Sequence, residues 1–273
     1  MLCQHIESYF SIDYNLFIAM TTKFIFLGCF FLCMIDAQAQ QKAKPQDTEF
    51  YTPVPKIVTP AKTALDAPSD AVVLFNGTSA DQWVSADSAA GPAKWIVQNG
   101  VLKVNKAAGD IQTKASFLDY QLHLEWRVPE NITGTGQARG NSGIFLASVF
   151  GGGYEIQILD NYNNKTYTNG QVGSVYKQHV PLANPLHPPG EWQVYDIIWT
   201  APRFKKDGSL DSAARVTALL NGVIVLNNVA LKGRTEYIGQ PSYKAHGAAP
   251  IRLQSHGDPS EPISFRNIWL RAL

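Results

Sequence analysis

Twice along this chain an Asn-Gly pair stands between two short apolar runs, at Trp95-Ile-Val-Gln-Asn99-Gly100-Val-Leu-Lys-Val104 and at Val216-Thr-Ala-Leu-Leu-Asn221-Gly222-Val-Ile-Val-Leu226. A two-residue hairpin turn needs left-handed backbone at both central positions, and Asn and Gly are the residues that tolerate it. Each pair therefore predicts two antiparallel strands. Between them, Gln121-Leu-His-Leu-Glu-Trp-Arg-Val128 alternates apolar Leu122, Leu124, Trp126 and Val128 with polar neighbours, the pattern of a half-buried strand. Further strands are expected at 142–148, 154–159, 192–200, 251–256 and 263–270, and no amphipathic helical stretch of useful length interrupts them. Many short strands with Gly and Asn turns define an all-β protein, a two-sheet antiparallel jelly-roll sandwich. No fixed-period repeat supports a propeller or solenoid.

The N-terminus obeys different rules. Met20, Lys23, the apolar run from Phe24 to Ile35 and then Ala37-Gln38-Ala39 are the start, basic, apolar and small-x-small parts of a secretory signal peptide cut after Ala39. The run falls short of the roughly 20 apolar residues that a bilayer span needs. Residues 1–39 are accordingly read as signal peptide with upstream residues. Residues 40–70, with Pro45, Pro53, Pro55, Pro60 and Pro68, read as an extended Pro-rich lead-in, and 71–273 as the folded domain. Export would place that domain in the periplasm or outside the cell, free or held at the surface. Cys3, Cys29 and Cys33 all precede the cleavage point, which leaves the exported chain no thiol for catalysis, bridging or zinc. With 23 basic against 22 acidic residues and no basic cluster interleaved with aromatics, nucleic acid has no footprint here.

Polar residues that alternate with core positions are the candidates for chemistry. In Tyr154-Glu155-Ile156-Gln157-Ile158-Leu159-Asp160, Glu155 and Gln157 face away from Ile156 and Ile158, and Asp160 would join them only through a bulge near Leu159. Arg252, Gln254 and His256 alternate in the same way with Ile251 and Leu253. Long multivalent hydrogen-bonding side chains of this kind suit an array of sugar hydroxyls, although an ordinary solvated face shows the same alternation. The Gly-rich turn Gln137-Ala-Arg139-Gly140-Asn141-Ser142-Gly143 carries Arg139 and Asn141 into a strand. The stretch 160–191 lacks strand pattern and holds Tyr162, Tyr167, Tyr176, His179 and His187, so its rings either stack on a ligand or pack on the sandwich.

As a set and in this order, Val73-Leu-Phe-Asn-Gly77, Trp95-Ile-Val-Gln-Asn-Gly100, Gly109-Asp-Ile-Gln-Thr113, Asn141-Ser-Gly-Ile-Phe145, Tyr154-Glu-Ile-Gln157, Ile251-Arg-Leu-Gln-Ser-His-Gly257 and Phe265-Arg-Asn-Ile268 resemble the 3-keto-disaccharide hydrolase family, from about Ala71 to the C-terminus. The resemblance implies a concanavalin A-like, glucanase-type jelly roll and glycosides oxidised to a ketone at C3 as substrates. Glucanases of that fold carry Glu-x-Asp-x-x-Glu on a bulged strand. Here Glu155-Ile-Gln157-Ile-Leu-Asp160 has the spacing with Gln in the middle and Asp at the end, which departs from the two carboxyls of a retaining glycosidase.

A 3-keto substrate permits another route, since the carbonyl acidifies the C2 hydrogen and the C1 substituent can be expelled before water adds. Such a site needs a base, an acid and a group that stabilises the enolate. The catalytic candidates are Glu155, His256 and Asp160; Arg139, Asn141, Gln157, Tyr176, Arg252 and Gln254 are the substrate-binding candidates. Arg139 with Gln254 or Gln157 is expected at the enolate oxygen. A divalent ion on Glu155, Asp160 and His256 would serve in place of Arg139, although no ligand-spaced motif demands one. The alternatives are a non-catalytic, lectin-like carbohydrate-binding module and a conventional β-glucanase. All of these readings expect the strand bearing Glu155 and the strand ending in His256 to lie side by side or nearly so and to share one concave pocket.

Overall fold

The computed structural model describes residues 43–63, 66–87 and 91–273, so the expected signal peptide lies outside the described residues. The chain divides into two units, Met1–Ile57 and Val58–Leu273. The described part of the first is a single 3-10 turn at Pro45–Thr48 followed by extended, exposed chain.

The second unit is a sandwich of two antiparallel sheets. The larger runs in the order Val223–Ala230, Arg215–Leu220, Gln193–Thr200, Tyr120–Arg127, Ser264–Ala272, Val101–Lys103 and Ile96–Gln98, and Val72–Phe75 also pairs with Ser264–Ala272. The smaller runs Trp83–Ser85, Ile111–Thr113, Arg252–Leu253, Ser142–Val149 and Gly152–Ile158. A short ribbon, Arg203–Phe204 with Leu210–Ser212, stands apart from both. Among the described residues the only helical segments are 3-10 turns of three or four residues. This is the all-β jelly-roll sandwich that the sequence pattern predicts.

Both Asn-Gly turns form as expected. Gln98 pairs with Val101 and Leu220 with Val223, leaving two-residue loops. Asn99 and Gly100 have φ of 52° and 76°, and Asn221 and Gly222 of 51° and 77°, which are the left-handed values a primed turn requires. The core lies between the sheets: Leu122, Leu124 and Trp126 from the large sheet meet Ile144, Ile156 and Leu253 from the small one, all buried in one cluster. Removing each such side chain from water contributes about 1.5–3 kcal/mol.

Two expectations change. The strand Tyr120–Arg127 is not half-buried, because His123 and Glu125 on its other face are buried as well. Asp196 and Arg266 pair with them, and the Trp269 ring stacks on His123 at 5.0 Å between centroids. The strand expected over 251–256 ends at Leu253, so His256 stands beyond the sheet on a turn.

Candidate active site

The pleat of the small sheet lays out a grid of polar side chains on the face turned away from the core. Glu155 pairs with Phe145, Phe145 with Arg252, and Arg252 with Gln112. Two residues along, Gln157 pairs with Gly143, and the backbone N–H of Gln254 donates to the carbonyl of Gly143 at 3.0 Å. Side chains two apart on a strand share a face, so Glu155, Gln157, Phe145, Arg252 and Gln254 fall on one surface. The Glu155 and Arg252 strands are separated by one strand, Ser142–Val149, and that intervening strand contributes Phe145 and the bare backbone of Gly143 to the floor.

Over this face lies a cavity of about 770 Å³. It brings together Glu155, His256, Asn141, Gln157, Tyr176, Arg252 and Gln254, seven of the nine residues singled out from sequence. It also takes in Tyr167, one of the rings noted in the stretch 160–191, and residues that the sequence reading passed over: Asp110, Gln137, Asp258 and, on an irregular loop, Tyr237. Asp110 was legible in principle, since it alternates with Gln112 in Gly109-Asp-Ile-Gln-Thr113. Asp258 follows His256 by two residues, a spacing that joins a carboxylate to an imidazole. Nothing in the pattern around Tyr237 points to the cavity.

The remaining two, Asp160 and Arg139, are not brought to it. The strand Gly152–Ile158 ends before Leu159, and its register irregularity lies at its opposite end, across from Phe145 to Ser148. No bulge near Leu159 carries Asp160 into phase. Asp160 instead accepts Arg139 Nε at 2.7 Å and the backbone N–H of Tyr162 at 2.9 Å, contacts of a buried carboxylate that tie the Gly-rich turn to the end of the strand. The cation site imagined on Glu155, Asp160 and His256 is not assembled. Among the described residues no group of three His, Cys, Asp or Glu is arranged to hold an ion.

The electrostatics of the cavity centre on Glu155. Its side chain is nearly inaccessible, 6% exposed, and no described residue donates a hydrogen bond to its carboxyl. Burial pushes this group up to about 8, with Asp110 adding to the effect and the Arg252 guanidinium opposing it. At neutral pH Glu155 therefore carries its proton. Asp110 is itself raised by burial, against the pull of the Ser255 N–H, Arg252 and His256. Arg252 is held by the Gly152 carbonyl at 3.1 Å and lies 3.8 Å over the Phe145 ring. Its buried Nε stands 3.6 Å from Asp110 and has no hydrogen-bond partner.

His256 is fixed from behind. Its Nδ1 is 3.0 Å from Asp258 Oδ2. Burial of Asp258 works against ionisation, but bonds to His256 and to the Ser260 hydroxyl and N–H, with Lys106 nearby, outweigh it and hold the carboxyl at about 2. Nδ1 has two neighbours, this carboxylate and the Asp258 backbone N–H at 3.2 Å; the carboxylate, closer and able only to accept, favours the tautomer with the proton on Nδ1, which leaves the Nε2 lone pair for other work. At the rim, the hydroxyls of Tyr167 and Tyr176 meet at 2.5 Å, and Lys177 Nζ stands 4.3 Å from the centre of the Tyr237 ring.

The cavity thus combines a carboxyl raised by burial, an imidazole backed by a carboxylate and a guanidinium whose Nε lacks a hydrogen-bond partner. Residues 70–271 match the family model of the 3-keto-alpha-glucoside-1,2-lyase-like domain, and the chain belongs to that family. A crystal structure from Parabacteroides distasonis ATCC 8503, provisionally described as a glycosyl hydrolase, is 56% identical, covers 86% of this chain and 99% of its own, and superposes with a TM-score of 0.79. A second protein of that organism and provisional description, 22% identical over 74% of this chain and 94% of its own with a TM-score of 0.52, shares the fold. The 3-keto-disaccharide hydrolase of Bacteroides thetaiotaomicron is 25% identical over 168 residues, 50% of this chain and 55% of the relative. The chain thus spans about half the length of that curated relative. No helix among the described residues is long and apolar enough to cross a membrane.

Proposed function

We infer that this protein cleaves glycosides already oxidised to a ketone at C3, 3-keto-disaccharides among them, and that it does so outside the cytoplasm after export. The observation that carries the reading is Glu155, a carboxyl in a polar cavity that burial raises to about 8. A group that holds its proton at neutral pH is an acid for a departing sugar oxygen. It is a poor nucleophile in that state, and the other carboxyls of the cavity are engaged, Asp110 by the Ser255 N–H and the Arg252 guanidinium and Asp258 by His256 and Ser260, which does not favour an ordinary double displacement.

In the route we favour, His256 Nε2 removes the C2 proton, and the electron pair passes into the C3 carbonyl to give an enolate. Arg252, whose Nε makes no hydrogen bond, replaces Arg139 as the donor that stabilises the enolate oxygen. The enolate reforms the ketone and a C1–C2 double bond while the C1–O bond breaks, and Glu155 protonates the leaving oxygen. Water then adds across the double bond: its hydroxyl bonds C1 as its remaining proton passes to Glu155, and His256, now exchanged with solvent, returns a proton to C2, which restores both groups. The net reaction is hydrolysis.

Incubating the protein with a disaccharide and with its 3-keto derivative tests this. Cleavage of the keto-sugar alone, with deuterium from heavy water appearing at C2 of the product, is the expected result. Glu155→Gln and His256→Ala should each lower the rate at least about a hundredfold. Cleavage of both sugars would identify a conventional glucanase, and binding without cleavage a lectin.

A further inference from the structure

Gln157 sits at the cavity floor, 1% exposed, and its amide is locked in one orientation by its neighbours. Gln137 Nε2 donates to the carbonyl of Gly170 at 2.8 Å, a group that can only accept, so Gln137 Oε1 is an acceptor. Asn141 Nδ2 donates to the backbone carbonyl of Gln137 at 2.8 Å, so Asn141 Oδ1 is an acceptor too. Both oxygens face Gln157 Nε2, at 3.2 and 3.3 Å. Turning the Gln157 amide over would crowd three carbonyl oxygens together, so the assignment follows from the network. Both amide hydrogens of Gln157 are spent, and its Oε1 is left buried with no partner.

We propose that Gln157 is a dedicated acceptor that selects a sugar by one free hydroxyl of the oxidised ring, with Gln137 and Asn141 acting as positioning residues that hold it in that polarity. A buried acceptor without a donor is costly, and a hydroxyl hydrogen is what a sugar supplies. A ketone oxygen has none to give. The carbonyl is therefore excluded from this corner, and equally from Gln254 Oε1, a second buried acceptor of the cavity without a hydrogen-bond partner, and is directed to Arg252 Nε–H, a buried donor there that lacks one. The placement of the ketone rests on the function proposed above, whereas the demand for a hydroxyl at Gln157 does not.

The test uses a disaccharide and its 3-keto derivative, each with analogues deoxygenated singly at C2, C4 and C6 of the ring to be oxidised. Dissociation constants are measured by calorimetry, and kcat/KM where turnover occurs. One deoxy position should cost the wild-type protein at least about a hundredfold, because an acceptor built for a hydroxyl is left unpaired. In Gln157→Leu that penalty should shrink to less than about threefold. Asn141→Ala, which frees the amide to turn, should relax the same penalty without removing the Gln157 side chain, and it carries the test should the Leu variant fail to fold. Equal treatment of every deoxy analogue by the wild type would overturn the proposal. A penalty that persists unchanged in both variants would do the same. Discrimination in binding without any cleavage of keto-sugars would sink the proposed reaction and leave Gln157 in its role.

Discussion

The carboxyl of Glu155 lies directly over Gly143: a Cβ built on that glycine would stand 2.5 Å from Oε1 and 3.1 Å from Cδ and Cγ. Gly143 is in ordinary strand conformation, so alanine is acceptable to its backbone, and the conflict is with the end of a movable side chain. Gly143→Ala should cost about 1–3 kcal/mol of stability, the usual range for overpacking a buried site, and leave the protein folded while pushing the Glu155 carboxyl aside. A displacement near 1 Å of a reacting group costs on the order of a hundredfold in rate. A melting curve together with kcat on the 3-keto-disaccharide checks both halves. Full activity in the variant would mean that the carboxyl's position over Gly143 is immaterial.

Asp258 backs the proposed base with a buried carboxylate, and its effect should run through His256. Asp258→Asn keeps the shape and the Ser260 contact but offers Nδ1 an amide that can donate, so the imidazole can take up the tautomer with its proton on Nε2. The expected outcome is a fall in kcat of about a hundredfold with KM changed less than about threefold. Asp258→Glu should recover part of it. A purely structural role would instead lower the melting temperature and leave the pH profile of surviving activity unmoved.

The fold was legible because its signals are local. Asn99-Gly100 and Asn221-Gly222 state their turns in two letters, and the alternation in Gln121–Val128 needs no knowledge of neighbours. The candidate site was legible only as far as alternation reaches: Glu155 with Gln157 and Arg252 with Gln254 share faces by pleat alone. What failed depended on where a strand stops. The spacing from Glu155 to Asp160 suggested a shared face, but the chain leaves the sheet after Ile158 and turns Asp160 toward Arg139. His123 and Glu125 read as solvated because alternation says which side a residue faces and not what covers that side. Tyr237 reaches the cavity from an irregular loop distant in sequence, and placement of that kind leaves no trace in spacing.

Arg139 and Asp160, assigned from sequence to binding and catalysis, should behave as structure. Arg139→Ala strands a buried carboxylate, a change that typically costs about 3–5 kcal/mol. With Arg139 itself partly exposed, a loss on the order of 3 kcal/mol in urea unfolding is expected, with KM of the folded fraction unchanged. A variant of full stability with a raised KM would return Arg139 to the substrate.

The His123 cluster gives the protein a pH dependence unrelated to the cavity. Burial favours the neutral ring, but the Asp196 carboxylate at 2.8 Å and Glu125, itself paired with Arg266, outweigh it and raise His123 to about 9. The folded state binds this proton more tightly than the unfolded chain does, where the ordinary value is about 6.5. The stabilisation is therefore complete below pH 6.5 and is lost as pH rises through 9. A shift of this size, discounted because Asp196 is partly in solvent, is on the order of 2 kcal/mol. Glu155 also loses stability with rising pH, as its buried carboxyl is forced to ionise, so the His123 share must be read by difference. Urea midpoints measured from pH 6 to 10 should fall more steeply for wild type than for His123→Gln, with the divergence concentrated between 6.5 and 9. Parallel curves for the two proteins would show that the ring is neutral in the fold and that the contacts to Asp196 and Glu125 involve no charge on it.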